Sequence, residues 1–200
     1  MTCSPKDIIK SSDLKERIRY RDGETQDIVK VILDMDAVSD QYVNREAAQC
    51  LVGSDDYATL KNVWRFVKEN VRYQADRRGR EVVKSPAALF TIGKGDCKSF
   101  SIAEAALLRA LGFKGIRFRF AAYDGAKEVT HVYVVCKLHG QDVILDAVYD
   151  YFDQEVRYDW KKDIAASRIS GIGALKPVPN GQNSFVKLFV LGLIAWGITR

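Results

Sequence analysis

The sequence predicts an α+β fold: a central helix packed on an antiparallel β-meander, with a helical N-terminal region and an apolar C-terminal tail. Three observations carry this. The stretch that follows Asp96 is almost unbroken in apolar and small residues up to Leu111, with Lys98, Glu104 and Arg109 as its charges, so it reads as a helix buried on most of its girth. After Gly112, a helix-stop residue, the period changes to two: Ile116, Phe118 and Phe120 alternate with Arg117 and Arg119, the pattern of a half-buried strand. Two further β-prone runs, Thr130–Leu138 and Gln141–Val148, flank His139-Gly140, which fits a two-residue hairpin turn.

The elements before the central helix follow in order. Residues 1–24 are polar and charged; Ser4-Pro5 opens a short helix and Arg21-Asp22-Gly23 reads as a turn. From Thr25, which can cap it, Ile28, Val29, Ile32 and Leu33 form a helical stripe. A second helical piece spans Tyr42–Leu51, with Val43, Ala47 and Cys50 at helical spacing, which makes Cys50 a core cysteine. Ser54 caps a helix over Tyr57–Tyr73, whose Leu60, Val63, Trp64, Val67 and Val71 share one face. Gln74–Lys84 reads as a loop, and Ser85-Pro86 starts a helical turn that ends before Gly93. The expected organisation is a helical extension packed on the core (1–52), a main domain (53–170), a Gly/Pro linker (171–183) and an apolar tail (184–200).

Composition narrows the function classes. At 200 residues, 47% hydrophobic and 28% charged, the chain buries its own core without staples. The net charge of +5 is mild and mixed with acidic residues, so no nucleic-acid partner is expected; the densest basic run, Arg77-Arg78-Gly79-Arg80, reads as a solvated loop or a substrate rim. Cys3, Cys50, Cys97 and Cys136 form no CxxC pair and there are two histidines, so neither a metal nor another cofactor is expected. Nothing in the spacing indicates a disulfide framework, which favours a reducing, cytoplasmic compartment, and the N-terminus lacks the regions of a secretory signal. Phe185–Ile198 is apolar apart from Lys187 and shorter than the roughly 20 residues of a membrane span. Its expected role is a membrane tether or an oligomer contact, the alternative being a segment packed on the domain.

The chemistry centres on Gly93-Lys94-Gly95-Asp96-Cys97. Two glycines permit a tight turn, Asp96 is a good N-cap, and Cys97 then occupies the first helical position. Unpaired N–H groups and the helix dipole there favour the thiolate that a nucleophile needs, although a cysteine after a turn can equally be a small core residue. The hairpin supplies partners. A symmetric turn at His139-Gly140 sets Tyr133 opposite Asp146 and His131 opposite Val148, all on one face, with Asp146 diagonal to His131 at about 7–8 Å between Cα atoms. Cys136 falls on the opposite face, toward the core. Three catalytic roles result: Cys97 attacks a carbonyl carbon, His131 takes and returns the proton, and Asp146 fixes the imidazole. The Cys97 N–H is the first oxyanion donor, and Trp64, Tyr73 and Tyr133 are the candidate substrate-binding residues that supply the second.

Between Tyr57 and Tyr149 these residues resemble a transglutaminase-like cysteine hydrolase domain, related in active-site logic to papain-type peptidases. The matching text is Val63–Tyr73, Ser85-Pro86 through Phe90, Gly93–Cys97, the helix to Gly112-Phe113, His131–Val134 and Ile144-Leu145-Asp146. The resemblance implies a calcium-independent α+β domain acting on peptide or amide bonds of a peptide or protein substrate, with Cys97, His131 and Asp146 in the triad positions. It departs from the family's pattern at Gln141-Asp142-Val143 and at Ala147-Val148. Hydrolysis through an acyl-enzyme is the expected activity. The alternatives are acyl transfer to an amine by the same triad, and a non-catalytic or membrane-associated structural protein of viral or envelope assembly.

Overall fold

The computed structural model describes residues 3–11, 17–21, 25–77 and 80–166; the linker and tail read in the sequence lie outside them. The N-terminal part comprises α1 (Pro5–Ile8), β1 (Arg17–Arg21), α2 (Thr25–Ser39) and α3 (Arg45–Ala48), with short 3-10 turns at Asp40–Tyr42 and Gln49–Leu51. Then come α4 (Asp56–Asn70), β2 (Arg72–Tyr73), β3 (Arg80–Lys84), α5 (Pro86–Ile92), β4 (Lys94–Gly95) and α6 (Cys97–Ala110). The chain ends its described course in β5 (Ile116–Ala122), β6 (His131–Leu138), β7 (Gln141–Leu145) and β8 (Trp160–Ala165). β5 to β8 form one antiparallel sheet in the order β7-β6-β5-β8.

The predicted α+β architecture is present. α6 is buried from Lys98 to Arg109, packs on β6, and is flanked by α2, α4 and α5. The hairpin turn carries positive φ at His139 (48°) and Gly140 (86°), the conformation that matches strand twist. It sets Leu138 opposite Gln141 and Val134 opposite Leu145, the register the symmetric turn requires. Cys136 accordingly lies in the main core, on the face of Val132 and Val134, while Tyr133, Val135 and Ile144 build a smaller cluster on the other face.

Several local expectations are corrected. Tyr42–Leu51 is not one helix: Val43 is extended, and Asn44 starts a new turn by accepting from the N–H groups of Glu46 and Ala47. Asp55, not Ser54, caps α4, accepting from Ala58 N–H at 2.7 Å; a carboxylate also suits the helix dipole. α4 stops at Asn70 because the chain turns extended and pairs β2 with β4, Arg72 N–H donating to Gly93 O and Gln74 N–H to Gly95 O. The expected loop 74–84 contains β3, paired with β1, and the N-terminal extension therefore contributes a strand as well as helices. β3 (Arg-Glu-Val-Val-Lys) does not alternate in hydrophobicity, whereas β1 (Arg-Ile-Arg-Tyr-Arg) alternates strictly over a run too short and too charged to stand out among the polar residues around it. β8 likewise reads as Trp-Lys-Lys-Asp-Ile-Ala, a charged edge strand without the pattern.

The expectation of Cys50 as a core cysteine, in a chain whose spacing indicates no disulfide framework, is also corrected. α1 packs against α3, and Cys3 forms a disulfide with Cys50 across a Cα–Cα distance of 5.7 Å. Among the described residues Cys97 and Cys136 are the free cysteines. A loop of 47 residues closed this way predicts that Cys50→Ser loses about 2–4 kcal/mol, read as the denaturant midpoint without reductant. Reductant should lower the wild-type midpoint by a similar amount and leave the variant unmoved.

Candidate active site

The nucleophile turn is built by two glycines with different tasks. Gly93 ends α5 in the left-handed region, φ 69°. Gly95 is there for space, since a Cβ on it would lie 2.4 Å from Leu89 Cδ1. Asp96 then caps α6, its Oδ1 accepting from Ser99 N–H at 3.3 Å, and Cys97 is the first helical residue. Ser101 Oγ lies 2.8 Å from the Cys97 carbonyl and 3.1 Å from the Val132 carbonyl, tying this end of α6 to β6 beside His131.

His131 is buried, and its Nε2 lies 2.6 Å from Asp146 Oδ2. The Cys97 side chain lines the same pocket as His131 and acts on the ring by hydrogen bonding and charge; with Nε2 committed to Asp146, Nδ1 is the nitrogen left to serve the sulfur. Burial works against the imidazolium, but hydrogen bonding and charge from Asp146 and Cys97 outweigh it and push His131 up to about 10. Asp146 is fixed in turn. Its Oδ1 accepts from Val148 N–H at 3.2 Å, and its carbonyl accepts from the Trp64 indole N–H at 3.0 Å. Lys68 donates to the Ala147 and Val148 carbonyls and pairs with Asp150, so α4 clamps the turn that presents Asp146.

The structure thus brings Cys97, His131 and Asp146 together. The other three singled-out residues part company. Trp64 is buried against Phe152 beneath Asp146. Tyr73 is 44% exposed and lines the pocket over Cys97, its ring edge-on to Phe100. Tyr133 is buried, its ring 5.7 Å from that of His131 between centroids, and its hydroxyl donates to Glu155 at 2.7 Å. Two neighbours of the imidazole carry no local signal in the sequence: the Tyr123 and Tyr149 rings lie 6.0 and 5.7 Å from it, between centroids.

A pocket of about 230 Å³ opens onto Cys97 and His131. Ile28, Val29 and Ile32 of α2 form one wall, with Val129 and Phe120 also lining it, and Asp76, Glu81, Asp96 and Lys98 lie near the helix end. Asp76, Glu81 and Asp96 have ligand atoms within 4.8 Å of one another, a group able to hold a metal ion, but the Lys98 ammonium pairs with all three.

Glu104 was legible only as one charge on a buried helix. It is fully buried, two turns along α6 from Cys97. Burial first, then the Asp146 carboxylate, push its carboxyl well above the ordinary range, with Ala147 N–H opposing. A carboxylic acid raised on folding costs stability as pH climbs above its unfolded value of 4.5, because the unfolded chain ionises freely. Glu104→Gln keeps the shape without that cost. It is expected to melt above the wild type at neutral pH, by a margin that shrinks as pH falls toward that value, as a pH series of thermal melts will show.

With fold and site in view, residues 45–147 match the model of the transglutaminase-like superfamily, a little over half of the chain, and the protein belongs to that superfamily. No curated protein sequence matches it. Among solved structures it is similar to a candidate cysteine protease from Cytophaga hutchinsonii, at 20% identity, covering 66% of this chain and 48% of that one, TM-score 0.44. It is also similar to a candidate protease from Parabacteroides distasonis (11% identity, 62% and 26% covered, TM-score 0.48) and to Legionella pneumophila LapG (20% identity, 60% and 75% covered, TM-score 0.45). The chain therefore spans about half of the first and a quarter of the second.

Proposed function

We propose that the protein hydrolyses a peptide or amide bond through a thioester acyl-enzyme on Cys97. The observation that carries this is the His131 ring, held by Asp146 at 2.6 Å through Nε2 and sharing one pocket with Cys97 at a helix N-terminus. His131 takes the thiol proton, and Cys97 Sγ bonds to the carbonyl carbon. The Cys97 N–H, without an intrahelical acceptor, stabilises the oxyanion. As the C–N bond breaks, the imidazolium returns its proton to the leaving amine. Water then attacks the thioester with His131 as base, releasing the acid and the thiol. Family membership and the Asp146 clamp by Trp64 and Lys68 support these roles. The apolar wall from α2 fits an apolar side chain next to the scissile carbonyl.

A peptide library incubated with wild type and Cys97→Ser, with and without a primary amine, tests the reading by mass spectrometry. Cleavage that is lost in Cys97→Ser is the expected result. Amine incorporation without cleavage identifies a transferase using the same triad, and neither product overturns the enzymatic reading in favour of a structural protein.

A further inference from the structure

We propose that Lys98 is a positioning residue: its ammonium is a built-in cation that holds three carboxylates together beside the nucleophile and so keeps the pocket wall in register with Cys97. Lys98 Nζ lies 2.6 Å from Glu81 Oε2 and 3.4 Å from Asp76 Oδ2, and it pairs closely with Asp96 Oδ2. The side chain is 10% exposed. Asp96 caps α6 through its other oxygen, and Asp76 Oδ2 also accepts from Val82 N–H at 2.6 Å. One ammonium thus joins the cap of the nucleophile helix to β3 and to the segment that precedes it. All four residues line the pocket with Cys97.

Helix energetics do not account for this lysine. A cation in the first turn opposes the helix dipole, and burying it costs solvation. Carboxylates this close disfavour each other's ionisation unless a cation stands among them. Oxygen ligands in such a group suit a hard divalent ion. Here the ammonium occupies that place, covalently attached to the residue after the nucleophile, so that no chelator can remove it. The expected consequence is a site whose geometry is indifferent to calcium, and which becomes cation-dependent once Lys98 is lost.

This inference rests on Cys97 being the nucleophile, and its test separates the two. The rate of Cys97 alkylation by iodoacetamide is measured in the wild type, Lys98→Met and Lys98→Arg, each with calcium chloride or EDTA, and thermal melts are run in parallel. The wild type should react at one rate in both conditions. Lys98→Met should react on the order of 10- to 100-fold more slowly, the scale of a misplaced reacting group. Calcium should restore part of that rate and raise the melting midpoint of Lys98→Met alone, and Lys98→Arg should keep most of the wild-type rate. A Lys98→Met protein that reacts like the wild type, or a loss that neither calcium nor arginine reverses, overturns the proposal. If Lys98→Met does not fold, Asp76→Asn serves: it keeps an acceptor for Val82 N–H, and an unchanged alkylation rate there overturns the proposal too. Should wild-type Cys97 be no more reactive than in the unfolded chain, the catalytic reading itself fails, while the calcium-dependent melt of Lys98→Met still decides the cation's place.

Discussion

Asp146→Asn is expected to lower kcat/KM by on the order of 10⁴-fold while the fold persists. The reason is tautomeric. Asp146 Oδ1 accepts from Val148 N–H, so an asparagine oxygen stays there and its amide N–H₂ turns to His131 Nε2. Nε2 must then accept, the ring proton moves to Nδ1, and Nδ1 can no longer take the thiol proton. The same substitution has a pH signature in stability. His131 is raised from 6.5 to about 10, so the stabilisation it provides is fully present below 6.5 and is lost as pH rises through about 10. Asp146→Asn removes the larger hydrogen-bond contribution to that shift, so the decline of stability across this window should flatten. Denaturant unfolding at several pH values in the window, for both proteins, reads the slope directly.

Arg109→Ala is expected to destabilise the fold by about 3–5 kcal/mol. Arg109 is 3% exposed on α6. Its Nη2 donates to Asp36 Oδ1 at 2.7 Å and to Ser39 Oγ at 2.8 Å, and its Nε donates to Asp40 Oδ1 at 2.6 Å. Truncation withdraws the guanidinium from the buried Asp36 carboxylate. The link also matters to the pocket, because it fixes α2, whose Ile28, Val29 and Ile32 form the apolar wall. Arg109→Ala should therefore raise KM for a cleaved peptide more than it lowers kcat. The double variant Arg109→Met/Asp36→Leu, which removes both charges, should recover most of the stability; a double variant as unstable as the single one would contradict the ion-pair account.

What was legible in the sequence was whatever local chemistry decides. The Asp96 cap and the His139-Gly140 turn are short-range features, and together they locate the helix end and the strand register that bring Cys97, His131 and Asp146 to one place. The same turn geometry sends Cys136 to the core. What was not legible depends on partners far away in the chain. β1 and β3 pair across about sixty residues, and only β1, five residues long, alternates. Cys50 sits at helical spacing, yet its neighbour is the cysteine at position 3, brought there by α1. Tyr133 lies on the face that the hairpin parity gives it, beside His131, but its hydroxyl is committed to Glu155, from an irregular segment. Lys98 reads only as one of three charges on the buried helix; its partners Asp76 and Glu81 come from elsewhere in the chain.

The central claim is that Cys97 is made reactive by His131. The direct measurement is the rate of iodoacetamide labelling at Cys97 near neutral pH in the native wild type and in His131→Ala, with Cys136 in the same molecule as the reference. Cys136 is buried in the core, its thiol pushed up to about 11 by burial. Rapid labelling of Cys97 ahead of Cys136, slowed on the order of 10²-fold or more in His131→Ala, is the predicted result. Equal rates at Cys97 in the two proteins would contradict it.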